Sequence, residues 1–203
     1  MQICIFVQIR HSTQMAFEVT NDQEPAAGKL LISEPFINDN NFDRTVILLC
    51  EHNENGSFGL VLNQEMPLKL SDIIESNYSE QPIFTGGPVE QNTLHFLHRL
   101  GSEVAQTVEV TENVYWGGNF DYVKTMLNFQ NQPHSDVRLF VGYSGWEPGQ
   151  LQNEINRNSW YISNADAALV FDTPAKSVWR ETLRRMGGNY RVISNYPTDP
   201  RLN

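Results

Sequence analysis

The segment from residue 45 to residue 63 constrains the fold more than any other part of this chain. Residues 45–50 form an apolar run without polar alternation, which is typical of a strand buried on both faces. An Asn-Gly turn at Asn55 and Gly56 follows, and residues 58–63 form a second apolar run. The pattern predicts a hairpin that must be covered on two sides, and therefore a layered domain.

The rest of the chain alternates short apolar runs with helical patterns. Further strands are predicted at residues 29–33, 83–85, 94–98, 107–110, 114–116, 138–142 and 169–171. Helices are predicted at residues 71–77 with Ser71 as N-cap, after Asn119, from Glu147-Pro148, and from residue 172 to Gly187. The predicted fold is a mixed α+β (α/β) single domain, residues 27–190, with a mixed sheet and helices packed on its faces. Residues 1–26 and 191–203 are expected to be tails.

Composition restricts the class of protein. The 203 residues include 14 Lys and Arg against 24 Asp and Glu, a net charge of −10, so direct nucleic-acid binding is not expected. Two cysteines, Cys4 and Cys50, form no disulfide framework, which favours a reducing, cytoplasmic location. The apolar run at residues 3–7 is too short for a signal-peptide core, and no window predicts a membrane span.

Two short segments invite a catalytic interpretation. Residues 142–146 follow a strand and contain Ser144, but Trp146 stands where the G-x-S-x-G elbow requires glycine, so we expect a glycine-lined turn. Cys50 and His52 alternate onto one strand face, as an activated thiol or two metal ligands would. The other clustered histidines, His95 and His98, are expected on opposite faces. We therefore predict no catalytic set, no metal and no cofactor.

Polar residues and glycines at strand ends and helix starts predict a binding site at one rim of the sheet. The candidate residues are His52, Asn53, Gly86, Gly87, Trp146, Gln150 and Glu154. Leu151 and Ile155 already supply the buried stripe of the helix that carries Gln150 and Glu154. We therefore expect those two polar side chains to be dispensable for stability.

The assembled motifs resemble those of the bacterial YqgE/AlgH family. The resemblance is carried by Gly28 to Ile32, Phe42 to Val46, Cys50 to Asn53 with Asn55-Gly56, Gly59 to Asn63, Gly86 to Val89, and Gly142 to Trp146 with Gly149 to Leu151, Glu154 and Asn158 to Trp160. It implies a bacterial cytosolic protein with a compact α/β domain and, through the family's name, a regulatory role. It supplies no reaction, cofactor or catalytic residue.

Three functions remain open from the sequence. The first is a non-catalytic binding or regulatory protein for a small molecule or a protein partner. The second is a transcriptional regulator, as the family name suggests. The third is an enzyme that uses Cys50 with His52.

Overall fold

The computed structural model describes residues 23–37, 39, 41–74, 80–129 and 134–197. Cys4, the apolar run at residues 3–7 and the end of the predicted 71–77 helix lie outside these residues. Ten strands are formed in the described ranges: β1 Lys29–Ser33, β2 Val46–Asn53, β3 Gly56–Val61, β4 Glu65–Lys69, β5 Pro82–Thr85, β6 Val89–His98, β7 Val108–Thr111, β8 Val114–Trp116, β9 Val137–Trp146 and β10 Trp160–Asn164. The helices are α1 Leu70–Ile73, α2 Phe120–Asn128, α3 Gln150–Asn156, α4 Ala175–Met186 and α5 Gly188–Ile193.

The strands join into one sheet in the order β10-β1-β2-β3-β9-β6-β8-β7, with every neighbouring pair antiparallel. Strand β5 lies parallel to the first half of β9, and β4 pairs with β5. The sheet curls so far that a Cβ at Gly28, just before β1, would lie 2.7 Å from the carbonyl oxygen of Val110 in β7. The predicted mixed sheet in an α+β domain is confirmed.

The two faces of the sheet bury separate cores. Alternate residues of the predicted hairpin enter different cores: Leu48 and Cys50 contact the core that contains α4, whereas Ile47 and Leu49 contact the core under α3. A third core lies between α2 and the residues Leu139 and Phe96 of β9 and β6. The apolar run without alternation is therefore buried on both faces, as the sequence predicted.

Several predicted elements are wrong. Residues 169–171 belong to the π-helical turn Ala168–Asp172, because the carboxylate of Asp166 accepts the Leu169 N–H at 2.7 Å and starts a helical turn. A short apolar run does not distinguish strand from helix by periodicity. The last strand is β10, whose Trp160 and Ile162 are buried in alternation. Residues 142–146 continue β9 rather than forming a turn.

The helix boundaries also differ from the expectation. Lys69, not Ser71, precedes α1, because the Asp72 carboxylate accepts the Lys69 N–H at 2.8 Å. Helix α3 begins two residues after Pro148, with Gly149 in the left-handed region as N-cap. Helix α2 begins as predicted: the Asn119 side chain accepts the Tyr122 N–H.

The C-terminal domain boundary predicted at residue 190 falls inside α5. Ile193 and Ser194, which follow that boundary, are buried. No helix in the described ranges is long and apolar enough to cross a bilayer.

Trp179 should be the most costly side chain of α4 to remove. It is buried in the α4 core, its Nε1–H donates to the Ser33 carbonyl at 3.0 Å, and the Arg44 guanidinium stacks 4.7 Å above its ring. We expect Trp179→Ala to lower the free energy of unfolding by about 3–5 kcal/mol, measured by urea denaturation. Trp179→Phe, which keeps a ring but leaves the Ser33 carbonyl unpaired, should cost about 1–3 kcal/mol. The exposed control Lys176→Ala on the same helix should change the free energy of unfolding by no more than about 0.5 kcal/mol. Equal losses of stability in all three variants would contradict the burial of Trp179 in the core.

Candidate functional site

Three chain segments meet at one end of the sheet: the tip of the β2–β3 hairpin, the end of β9 and the start of α3. Strand β3 pairs with β9 so that Ser57 lies opposite Trp146. Gly56 makes the close approach of the hairpin tip possible, because a Cβ there would lie 2.3 Å from the Trp146 carbonyl oxygen. Its φ of +130° also favours glycine over other residues. The Asn-Gly turn therefore fixes the hairpin against the end of β9.

A groove runs along this junction. It consists of two adjoining cavities of about 220 and 550 Å³, which share Asn55, Ser57 and Trp146. The smaller cavity is also lined by Glu51, Asn53, Gly56 and Phe58. The larger is also lined by Val89, Tyr143, Gly145, Glu147, Pro148 and Gln150. Carboxylate, amide and hydroxyl groups thus lie beside aromatic and aliphatic side chains along the groove.

Phe58 and Tyr143 give the groove an aromatic wall. The Phe58 ring packs between Tyr143 and Trp116, with centroid distances of 4.9 and 4.7 Å. The His95 ring meets Phe58 edge-on at 5.2 Å, and burial lowers the pKa of its imidazole. The wall is therefore held by ring packing across four adjacent strands and presents a preorganised aromatic surface to the groove.

Glu154 lies behind the groove and holds two of its elements together. Its Oε2 accepts the indole N–H of Trp146 at 2.9 Å and that of Trp160 at 2.8 Å. The two indoles are buried and meet edge-on, with centroids 6.2 Å apart. One carboxylate oxygen thus satisfies two buried donors, one from β9 and one from β10.

Gln150 links this carboxylate to the groove. Its Nε2 donates to the second Glu154 oxygen, Oε1, at 3.0 Å, while its own Oε1 accepts the Glu147 N–H at 3.1 Å. The Gln150 side chain is exposed and lines the larger cavity. The network therefore sets the position of Trp146 and Gln150, two of the side chains that form the groove.

The predicted site residues separate into three groups. Asn53, Trp146 and Gln150 line the groove. His52 lies beside it, with Nδ1 2.7 Å from the Ser57 hydroxyl, and Glu154 lies behind it. The structure places the remaining two residues, Gly86 and Gly87, outside the groove lining.

Gly86 and Gly87 lie where β3 and β5 diverge along β9. The Gly86 N–H donates to the Val141 carbonyl at 2.8 Å, so it is already used within the sheet. A Cβ at Gly86 would lie 2.1 Å from the Gly142 carbonyl oxygen. These glycines allow the backbones to pass at close range.

The sequence interpretation missed several lining residues, notably Asn55, Ser57 and Tyr143. Asn55 and Ser57 flank the turn glycine, Gly56. Their position next to the predicted turn could have indicated that they lie at the same end of the sheet as Asn53. The sequence gives no reason to select Tyr143 when residues 142–146 are predicted as a turn. In the structure these residues continue β9, and alternation along the strand brings Tyr143 and Gly145 to the groove. The sequence interpretation also missed the acceptor role of Glu154, because the indole N–H groups of Trp146 and Trp160 come close to this carboxylate only in the folded protein.

The nucleophile candidates lie in structural positions. Cys50 is 4% exposed in the α4 core, and burial raises the pKa of its thiol far above the neutral range. The Ser144 side chain is buried, and its hydroxyl donates to the Gly86 carbonyl at 3.2 Å. A buried neutral thiol is a poor nucleophile.

His95 and His98 lie on opposite faces of β6, as predicted. His95 packs against Phe58, whereas His98 is buried beside Phe96 and lies 2.8 Å from the Thr107 hydroxyl through Nε2. In the part of the chain that is described, no group of three or more His, Cys, Asp or Glu side chains could hold a metal ion.

The Glu154 network generates a stability prediction. Glu154→Ala leaves two buried indole N–H groups without an acceptor, so the free energy of unfolding should fall by about 2–4 kcal/mol. Glu154→Gln keeps one acceptor oxygen, so its free energy of unfolding should fall by less than that of Glu154→Ala. Urea denaturation followed by circular dichroism measures both, and the native tryptophan emission of Glu154→Ala should shift to longer wavelength.

Gln152→Ala is the matched control for this prediction. Gln152 is exposed on the same helix and forms a side-chain hydrogen bond only with Asn156 among the described side chains. Gln152→Ala should therefore lower the free energy of unfolding by no more than about 0.5 kcal/mol. A Glu154→Ala protein as stable as this control would refute the anchoring role.

Comparisons with known proteins agree with this architecture. Residues 30–191 match a family model described as AlgH-like. A UPF0301 protein of Cytophaga hutchinsonii is 43% identical over 178 residues, which are 87% of this chain and 98% of that protein. A UPF0301 protein of Bacteroides fragilis is 41% identical over 186 residues, 91% of this chain and 94% of that protein.

Two solved structures share the fold. The crystal structure of a Corynebacterium diphtheriae protein matches with a TM-score of 0.72 and 25% identity, covering 86% of this chain and 94% of that one. The solution structure of the AlgH protein from Pseudomonas aeruginosa matches with a TM-score of 0.67 and 30% identity. The match covers 88% of this chain and 98% of that one. The resemblance drawn from the motifs is confirmed, and the chain belongs to the YqgE/AlgH family.

Proposed function

We propose that this protein is a non-catalytic binding protein whose groove at the hairpin tip receives a small molecule or a segment of a protein partner. The observation that carries the proposal is the convergence of three separate segments on one concave surface lined by amide and hydroxyl side chains. Asn53, Asn55, Ser57 and Gln150 supply these groups, and Phe58 and Tyr143 supply an apolar surface. This combination orients a ligand through a few polar contacts and holds it through apolar ones.

The charge of the lining selects the class of ligand. The charged side chains that line the groove, among the described residues, are Glu51 and Glu147, and no Lys or Arg joins them. A phosphate or carboxylate ligand would find no cation here and would be repelled by the two carboxylates. The groove therefore favours an uncharged polar or a cationic ligand.

The enzyme alternative has less support. The Cys50 thiol lies in the core rather than in the groove, and its burial opposes formation of the thiolate that a nucleophile requires. The proposal includes a cytoplasmic location, which the free, buried Cys50 supports. A regulatory role would follow from ligand binding rather than from chemistry.

A thermal-shift screen tests the proposed ligand class. The screen compares uncharged polar metabolites, amines and basic peptides, and phosphorylated or carboxylated metabolites. We expect stabilisation by a member of the first two groups and its loss in Asn55→Arg, whose long cationic side chain would enter both cavities. Gln152→Arg, on an exposed position of α3 outside the lining, should respond like the wild type.

Three results would overturn the proposal. The first is stabilisation by anions alone. The second is an unchanged shift in Asn55→Arg. The third is the absence of any shift across the three groups, with peptides included.

A further inference from the structure

The C-terminal helices carry a charge opposite to that of the whole chain. Residues 175–193, which include α4 and α5, contain five cationic side chains and one acidic side chain, a net charge of +4. The chain has a net charge of −10, so its remainder carries −14. The cations are Lys176, Arg180, Arg184, Arg185 and Arg191. Such a division of charge concentrates positive potential on one part of the surface.

Four of these cations remain available to a partner. Lys176, Arg180 and Arg184 recur every fourth residue, which places them along one side of α4, and all three are exposed. Arg191 is exposed on α5, which packs against α4. Within the described ranges none of the four forms an ion pair, whereas Arg185 pairs with Asp166 and Glu181. We call Lys176, Arg180, Arg184 and Arg191 the basic face.

The residues beside the basic face are fixed and partly apolar. The Arg180 Nε–H donates to the Ser194 carbonyl at 3.2 Å, which joins α4 to the end of α5. Val192, next to Arg191, is 44% exposed. Arg44 donates to the Tyr196 carbonyl at 2.8 Å, and the Tyr196 ring stacks on the exposed Phe36 with centroids 5.9 Å apart. The exposed Val192 therefore adjoins one cation of the basic face, and hydrogen bonds and ring packing hold the chain segment that follows α5.

We infer that the basic face docks an acidic segment of a partner protein that also carries a large apolar side chain. Carboxylates complement the charge of the four cations, and the exposed Val192 provides an apolar contact beside Arg191. A short acidic segment fits within a face about one helix long. A nucleic-acid duplex or an anionic bilayer would extend beyond it toward the rest of the chain, which has a net charge of −14 and would repel it.

A peptide of defined chemistry tests this inference. The probe is a fluorescein-labelled peptide of about 15 residues built from repeated Glu-Glu-Leu units, followed by fluorescence anisotropy with the full chain at about 0.15 M salt. Companion peptides replace every Glu by Gln or every Leu by Ser. Two further arms use a DNA duplex and phosphatidylserine vesicles. We expect both companion peptides to bind more weakly than the probe.

Charge reversal locates the binding surface. Arg184→Glu with Arg191→Glu should weaken probe binding about tenfold or more, because four units of charge change at the contact. Lys124→Glu with Arg157→Glu changes the net charge of the chain equally, away from the basic face, and should weaken binding much less. If the Glu variant fails to fold by circular dichroism, Arg184→Gln with Arg191→Gln removes the same two charges without reversing them.

Each contrary result overturns the inference. Equal weakening by the two double variants would show a general charge effect. Tighter binding of the duplex or the vesicles than of the peptide would assign the face to another class of partner. If the probe does not bind, or if the Leu-to-Ser peptide binds as tightly as the probe, the basic face does not dock an acidic segment with a large apolar side chain. None of these results bears on the groove at the hairpin tip, which contains no basic-face residue.

Discussion

A half-buried carboxylate on α3 fixes the end of the molecule where the groove lies. Glu154 accepts the indole N–H groups of Trp146 and Trp160, which come from β9 and β10. These strands are separated in the sheet by β1, β2 and β3, so the carboxylate joins parts of the sheet that share no strand pairing. Because both indoles are buried, each donor needs an acceptor, and an apolar side chain at this position would leave both unpaired. The groove depends on this anchor, since Trp146 and the Gln150 side chain are positioned by it.

Strand β9 organises the sheet around the same region. It pairs with β5 along its first half and with β3 along its second half, while β6 occupies its other side. The change of partner occurs beside Gly86, where a side chain would collide with the Gly142 carbonyl. Gly86 and Gly87, which the sequence analysis placed in the binding site, instead allow this close backbone crossing. The motif thus contributes to the groove indirectly, by allowing β3 and its hairpin to reach the end of β9.

The surface is divided between two regions of different chemistry. The groove at the hairpin tip has an aromatic wall and two carboxylates, whereas the basic face on α4 and α5 has four cations that form no ion pair with the described residues, beside the exposed Val192. The ligand that we propose for the first is uncharged or cationic, and the partner that we propose for the second is an acidic segment.

The sequence by itself determined the elements whose signal is local. The doubly buried hairpin, its Asn-Gly turn, the Asn119 cap of α2 and the buried stripe of α3 all follow from periodicity and turn chemistry. The tertiary structure alone decided features that depend on contacts between distant residues. Residues 169–171 form a π-helical turn because Asp166 captures a backbone N–H, and residues 142–146 remain extended because β3 and β6 pair with them. Glu154 is an anchor rather than a solvated side chain because folding brings two indole N–H donors to its carboxylate. No local sequence pattern predicts these two contacts.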